Sequence, residues 1–263
     1  MRTKLVVGNW KMNLTTAEGV ALVESFAEKV DRMWDVDVVV CPPYLAIQRV
    51  RQAIKNTHVK LGAQDCFWLD SGAFTGKVSA MQLAEVGVEY CIVGHSEARG
   101  RFGSTELSTT QVLMFADSDE TVNLKIRALL FCSIMPILCV GETAAERDAG
   151  STDSVVQEQL TVALEGVDSS ELFTFVVAYE PVWAIGTGNV CEPQEAARVC
   201  GHIRSVVAGL SDVEVADSVR VLYGGSVNAE NAKELFAQKE IDGALVGGAS
   251  LDAKAFARIV MCA

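Results

Sequence analysis

Three side chains that can take up or donate protons stand within three positions of the end of a short apolar run. They are Lys11, His95 and Glu180. An ammonium, an imidazole and a carboxylate are groups with which enzymes move protons and stabilise developing negative charge. If the runs are parallel strands of one barrel, their carboxyl ends meet at one rim and the three groups lie close together. A purely structural protein would not need a lysine, a histidine and a glutamate there.

The elements that must position these groups alternate along the chain. Eight short runs are apolar along their length, which is typical of parallel strands covered by helices. The predicted strands are residues 4–8, 36–41, 59–63, 90–93, 135–140, 175–178, 219–222 and 243–246. Amphipathic segments between them predict helices at residues 16–30, 44–55, 155–164, 194–207 and 229–238.

Eight strand–helix units in this length are the count and size of a (β/α)8 barrel of the α/β class. An open, doubly wound sheet is the alternative architecture, but no GxGxxG motif follows a strand. No low-complexity linker or change in composition indicates a boundary. We therefore predict a single barrel domain over residues 1–263, with eight parallel strands surrounded by helices.

The composition excludes several classes of protein. Half of the 263 residues are apolar, and 22 basic residues against 34 acidic ones give a net charge of −12. Nucleic-acid-binding proteins usually carry the opposite sign, and an acidic surface disfavours docking on an anionic membrane. No run reaches the roughly 18–20 apolar residues that span a bilayer, and the first apolar stretch is too short for a signal peptide. We expect neither nucleic acid nor membrane as a partner.

The eight cysteines form no CxxC pair, and several lie inside apolar runs. This pattern favours buried, reduced thiols in a cytoplasmic protein over disulfide bonds or a metal site. The cysteine and histidine spacings do not compose a zinc site.

Six motifs resemble those of the triosephosphate isomerase family and occur in the same order. They are residues 8–13, 72–76, 93–97, 178–188, 223–226 and 245–249. The resemblance covers essentially the whole chain. It implies a TIM barrel that interconverts D-glyceraldehyde 3-phosphate and dihydroxyacetone phosphate through an enediolate, in glycolysis and gluconeogenesis. It implies a small phosphorylated triose as substrate, and neither a cofactor nor a metal.

The same resemblance gives each proton-active side chain a role. Glu180 matches the base that removes a proton α to a carbonyl. His95, as a neutral donor, and Lys11 match the groups that stabilise the oxyanion, with Asn9 beside them. Glu97 is expected to support Lys11 and the rim rather than to act as a second base.

The segment that follows Glu180 is interpreted as a hinged lid. A proline stiffens its first end and glycines free its second end. The apolar tip between them, Trp183, Ala184 and Ile185, is expected to cover a ligand and exclude water. The lid residues are Pro181, Val182, Trp183, Ala184, Ile185, Gly186, Thr187 and Gly188. Converging backbone N–H groups of glycine-rich loops can hold a phosphate dianion. The predicted phosphate-binding residues are Gly186, Ser226, Gly247 and Gly248, with Asn9 and Lys11 also binding substrate.

The region after His95 departs from the family pattern. The family usually has an arginine where this chain has Ala98, and acidic residues where it has Ser104 and Lys77. A Phe-Gly motif is partly echoed thirteen positions later, which predicts an insertion around residues 103–115. A sequence error or a disordered bulge is the alternative to a real surface feature.

The resemblance also predicts a homodimer. The loop at residues 72–76 is expected to enter the partner subunit, with Thr75 reaching toward the neighbour's site, and Lys77 and Ala98 are expected in or near that interface. Two other functions remain open. One is an isomerase for a related sugar phosphate, such as a four-carbon ketose phosphate. The other is a catalytically silent barrel that acts as a binding protein.

Overall fold

Eight parallel strands close into a barrel in chain order, in a computed structural model that describes residues 2–103 and 107–263. The strands are β1 Lys4–Asn9, β2 Val36–Cys41, β3 Lys60–Ala63, β4 Tyr90–Val93, β5 Met135–Val140, β6 Val176–Tyr179, β7 Arg220–Tyr223 and β8 Gly243–Val246. The predicted (β/α)8 architecture is therefore confirmed, and each strand lies within about one residue of its predicted range.

The barrel closes where β1 pairs with β8, with Leu5 opposite Gly243. Gly243 has a φ of +148°, and a Cβ at this position would lie 1.8 Å from the Leu5 carbonyl oxygen. Only glycine permits this close approach of two backbones. The closure places the last strand beside the first, so that the carboxyl ends of all eight strands form one continuous rim.

Helices surround the strands, and short 3-10 turns lie at several rim loops. The helices are α1 Thr16–Val30, α2 Ile47–Ile54, α3 Ala80–Glu85, α4 Thr109–Leu113, α5 Asp119–Phe131, α6 Ala144–Asp148, α7 Thr152–Ala163, α8 Pro193–Leu210, α9 Val213–Ser218, α10 Ala232–Phe236 and α11 Ala253–Val260. The 3-10 turns are Tyr44–Ala46, Ser169–Thr174, Val182–Ala184 and Gly248–Leu251. The helix predicted at residues 44–55 begins as such a turn, and the one predicted at 229–238 is shorter than expected.

Side chains form two apolar layers. One fills the barrel interior with residues such as Leu5, Val39 and Ile92. The other lies between the strands and the helices. In this layer Phe26 of α1 packs edge-to-face on Phe256 of α11, with ring centres 5.2 Å apart. Strands buried on both faces explain the apolar runs without alternation. Because both layers are packed, the strands form a rigid base for the loops at the rim.

The two ends of the connection between β4 and α5, residues 94–118, lie close together at the barrel. The backbone N–H of Asp117 donates to the Ala98 carbonyl at 2.8 Å. Asp117 also pairs with the buried Lys125 of α5 at 2.6 Å, and Asp65 after β3 pairs with the same ammonium at 2.7 Å. The predicted insertion at 103–115 lies within this β4–α5 connection. Ser104 lies outside the described residues, and the described part contains α4.

Candidate active site

The carboxyl rim of the barrel surrounds a cavity of about 420 Å³. Lys11 follows β1, His95 follows β4 and Glu180 follows β6, and all three line this cavity. Asn9, the last residue of β1, also lines the cavity. The lid and the loops after β7 and β8 contribute further lining residues, among them Ile185, Gly186, Ser226, Gly247 and Gly248. The structure thus brings together the proton-active side chains and the residues predicted to bind phosphate.

His95 and Glu180 form a buried pair. His95 Nε2 lies 2.9 Å from Glu180 Oε1, and the Ser96 N–H donates to Glu180 Oε2 at 2.8 Å. The backbone N–H of Glu97 donates to His95 Nδ1 at 3.2 Å. Since Nδ1 accepts this hydrogen bond, the proton of the ring lies on Nε2. This geometry assigns a neutral imidazole that donates to the carboxylate through Nε2–H.

The environment of Glu180 keeps its carboxylate ionised near neutral pH. Burial acts to raise the pKa, but the hydrogen bonds that the carboxylate accepts from His95 and from the Ser96 N–H oppose it, as does the Lys11 charge. Together these contacts hold the Glu180 pKa below its ordinary value. The group is therefore in the form that can accept a proton.

Lys11 has a left-handed backbone conformation, with a φ of 51°. Its N–H donates to Asn9 Oδ1 at 3.0 Å, and Gln64 Nε2 donates to its carbonyl oxygen at 2.8 Å. These two hydrogen bonds stabilise a conformation that is uncommon for a residue with a side chain. The ammonium pairs with Glu97 Oε1 at 2.6 Å. Glu97 therefore contacts Lys11, and the ammonium charge of Lys11 is held at the rim.

The loops after β7 and β8 are built from glycine where other groups approach closely. A Cβ on Gly224 would lie 3.0 Å from Glu180 Cγ, and one on Gly247 would lie 3.5 Å from Lys11 Cε. A larger residue at Gly224 would crowd the Glu180 side chain, whereas the distance at Gly247 is that of ordinary van der Waals contact. Gly247 and Gly248 line the same cavity, and a Cβ on Gly247 would lie 4.0 Å from Nζ of Lys11. Amide dipoles and an ammonium at one place suit an anion.

The lid contacts the β5 side of the rim through Trp183. Its Nε1–H donates to Glu142 Oε1 at 2.8 Å, and the Arg147 guanidinium stacks over its ring at 3.6 Å. Ala184 is buried, so of the three tip residues only Ile185 lines the cavity, together with Gly186. Burial raises the pKa of Glu142, whose Oε1 also accepts from Tyr179. Trp183 therefore anchors the lid to the barrel, and the part over the cavity is Ile185 and Gly186.

Three positions singled out from the sequence lie away from this cavity. Thr75 is exposed on its loop and does not line the cavity of its own chain. Lys77 lies on the same loop, with its ammonium 5.7 Å from the centre of the Phe67 ring. Ala98 anchors the return of the β4–α5 connection through its carbonyl oxygen.

Three residues support the site from outside, and their roles could not be assigned from the sequence: Gln64, Glu142 and Arg147. Gln64 directly follows β3, and Glu142 follows β5 after one glycine. Their positions at strand ends were a signal of rim residues, but nothing in the sequence indicated their hydrogen-bond partners. Arg147 stands on α6, which begins at a Thr143–Glu146 capping box, and only the folded structure brings it over Trp183.

Over residues 2–103 and 107–263, no cluster of three or more His, Cys, Asp or Glu side chains is arranged to hold a metal ion. All eight cysteines are free, and burial raises the pKa of the Cys41 and Cys200 thiols, so both stay protonated. No described helix is both long enough and apolar enough to cross a bilayer.

The fold and the rim define a (β/α)8-barrel protein with an acid–base site at the carboxyl ends of its strands. The sequence model of one family, described as triosephosphate isomerase, matches residues 4–263. A protein of Alkaliphilus metalliredigens named triosephosphate isomerase is 45% identical over 99% of each chain. A Roseiflexus protein of the same name is also 45% identical, over 99% of this chain and 97% of its own. This chain belongs to the triosephosphate isomerase family, whose members are aldose–ketose isomerases.

Proposed function

We propose that this chain interconverts D-glyceraldehyde 3-phosphate and dihydroxyacetone phosphate, as a step of glycolysis and gluconeogenesis. The observation that carries the proposal is the buried contact of Glu180 with His95, 2.9 Å apart, in a cavity that Lys11 also lines. A base, a neutral donor and a cation around one small cavity are the groups that proton transfer next to a carbonyl requires. The triosephosphate isomerase family supplies the identity of the substrate.

Glu180 is the base in this mechanism. Its carboxylate takes a proton from the carbon next to the carbonyl and returns it to the neighbouring carbon. In the present arrangement Oε1 is paired with His95 and Oε2 accepts the Ser96 N–H. The carboxylate therefore leaves these partners when it turns to the substrate, and this frees Nε2–H of His95.

His95 and Lys11 stabilise the negative charge that develops on the substrate oxygens. The freed Nε2–H of His95 donates to the oxygen whose charge grows as the carbon loses its proton. His95 gives this proton to that oxygen and takes up the proton of the neighbouring hydroxyl, so that the carbonyl and the hydroxyl exchange places. Lys11 adds a positive charge at the same rim. Its backbone is held in place because its N–H donates to the side-chain oxygen Oδ1 of Asn9. Neither step needs a cofactor, because the electrons remain within the substrate.

The phosphate of the substrate is assigned to the glycine-rich side of the cavity. Gly186 lines it from the lid, Ser226 from the loop after β7, and Gly247 and Gly248 from the loop after β8. When the lid closes over the phosphate, it excludes water and protects the enediolate from losing phosphate. A cavity of about 420 Å³ suits a small phosphorylated sugar.

We further propose that the protein acts as a homodimer in the cytoplasm. Several apolar side chains on the β1, β2 and β3 loops are exposed in the single chain, among them Met12 and Leu45 at more than 90%. Exposed apolar groups on neighbouring loops are typical of a surface that a partner covers. Eight free thiols suit a reducing compartment.

The decisive experiment measures interconversion of the two triose phosphates by the wild type and by Glu180→Gln. We expect the variant to lose at least about 100-fold in kcat, since it can no longer accept a proton. Glu214→Gln, at an exposed position of α9, is the matched control and should retain full activity. A four-carbon ketose phosphate is assayed in parallel.

Each alternative has its own outcome. A wild type that acts only on the four-carbon substrate supports the isomerase of a related sugar phosphate. A folded wild type that isomerises neither substrate supports a silent barrel. A fully active Glu180→Gln variant contradicts the proposed base.

A further inference from the structure

Gly103 lies against the backbone of the lid. A Cβ built on this residue would lie 2.5 Å from the carbonyl oxygen of Ile185 and 2.9 Å from that of Val182. It would also lie 2.7 Å from Cγ2 of Thr187. Separations below about 3 Å are not tolerated by packed atoms, so any larger residue would displace the lid. Gly103 is itself exposed, and the atoms that its Cβ would approach most closely all belong to the lid.

The lid has little support elsewhere over the cavity. A Cβ on Gly186 or Gly188 would meet nothing within 4 Å. Among the described residues, no hydrogen bond joins residues 182–189 to the loops at 224–228 and 247–249. The lid instead contacts Glu142 and Arg147 through Trp183 on the β5 side. In its observed position the lid is therefore held from the β5 side and lies against Gly103, with no hydrogen bond to the phosphate-binding loops.

The segment that carries Gly103 is anchored at its start by Arg101. The guanidinium donates to the Gly141 carbonyl at 3.1 Å and pairs with Glu146 of α6. The backbone N–H of Arg101 donates to the Ser96 carbonyl at 2.8 Å. The segment is thus tied both to the end of β5 and to the residue that contacts the Glu180 carboxylate.

The described part of the β4–α5 connection supports the same segment from behind. A Cβ on Gly100 would lie 2.2 Å from Cγ1 of Val112 in α4, which shows how closely the helix packs. Phe102 and Phe115 pack edge-to-face with ring centres 6.5 Å apart. Support on both sides means that Gly103 is held in place while the lid is the part that can move.

We propose that Gly103 is a positioning residue for the lid: its backbone abuts Val182 and Ile185, sets the outward position of the lid, and thereby tunes how readily the lid closes over a bound phosphate. This inference rests on the proposed function, which places the phosphate under the lid. A side chain at residue 103 makes the outward position unfavourable and shifts the population toward other lid positions. Ligands that need the closed lid then bind more tightly.

The test compares Gly103→Ala with the wild type, using inorganic phosphate as the ligand and tryptophan fluorescence as the readout. The emission of Trp183 is assigned by difference from Trp183→Phe. We expect the Gly103→Ala variant to change this emission without ligand and to bind phosphate about three- to tenfold more tightly, as an overpacked contact shifts an equilibrium. Both kcat and KM are expected to fall, because a lid that favours closure slows product release.

Gly209→Ala in α8 is the matched control, since a Cβ there meets nothing within 4 Å. It should change neither emission nor phosphate affinity. Thr187→Ser provides a second control, because it removes Cγ2 and keeps the hydroxyl that donates to the Trp183 carbonyl. If residue 103 acts through the lid, the effects of Gly103→Ala and Thr187→Ser on phosphate affinity do not multiply in the double variant.

Three results would overturn the proposal: an unchanged Trp183 emission, an unchanged or weaker phosphate affinity, or independent effects in the double variant. If Gly103→Ala does not fold, Arg101→Gln removes the anchor and must change the same emission. A wild type without isomerase activity refutes the proposed function alone, because the ligand-free emission still reports on the lid.

Discussion

Lys125 offers the clearest test of how the β4–α5 connection is attached to the barrel. Its side chain is 4% exposed and its ammonium contacts Asp65 at 2.7 Å and Asp117 at 2.6 Å. Burial acts to lower the pKa of Lys125, but the two carboxylates outweigh it and the pKa is raised. We consider the substitution Lys125→Met, which keeps the length and apolar character of the stem and removes the charge.

The magnitude follows from what the substitution leaves behind. Removing one partner of a buried ion pair costs about 3–5 kcal/mol, because the remaining charge stays buried without compensation. Asp117 is 11% exposed and fits that case, whereas Asp65 is 41% exposed and remains partly solvated. We therefore take the lower end, about 3 kcal/mol. For a protein of this size that corresponds to a fall in Tm of about 6–12 °C.

The assay is thermal unfolding at pH 7 at fixed protein concentration, with the free energy of unfolding from denaturant titration beside it. Lys239→Met is the matched control, because that side chain is 93% exposed and lies 4.0 Å from Glu240. The control should change the free energy of unfolding by less than about 0.5 kcal/mol. Adding Asp117→Asn to Lys125→Met should recover part of the loss, since it removes the uncompensated carboxylate.

A Lys125→Met variant within about 1 kcal/mol of the wild type would refute this reasoning. So would a double variant that is less stable than Lys125→Met alone. Either result would mean that the ion pairs do not hold the connection in place.

Two further predictions concern the proposed activity. Because the folded pKa of Glu180 lies below the ordinary value of 4.5, its carboxylate stays ionised as the pH falls. Once the ionisation of the substrate phosphate, whose second pKa is about 6, is corrected for, the acidic limb of kcat/KM should lie below pH 4.5. The ionised form also stabilises the fold above the unfolded pKa, and this contribution is lost as the pH falls through the folded one. A corrected pH–rate profile that is still half-maximal near pH 6 in folded protein would contradict the assignment. Light scattering should show a dimer, and a monomer with full activity would contradict the interface proposed at Thr75 and its neighbours.

The sequence by itself determined the architecture and the rim. Apolar runs without alternation are a local property, and they predicted all eight strands because strands covered on both sides have no polar face. The topology rule for parallel strands then placed Lys11, His95 and Glu180 at one rim without any coordinates. The motifs around these residues also indicated the triosephosphate isomerase family, whose sequence model matches residues 4–263.

Only the tertiary structure decided how the groups contact one another. The pairing of His95 with Glu180 joins residues that are far apart in the chain. The hydrogen bond that places the imidazole proton on Nε2 depends on the backbone conformation just after His95. Trp183 was expected over the ligand, yet it lies against Glu142 and Arg147. The reason is that periodicity encodes which face of an element is buried. Which side chains then meet is set by barrel closure, loop paths and rotamers, and these depend on the whole fold.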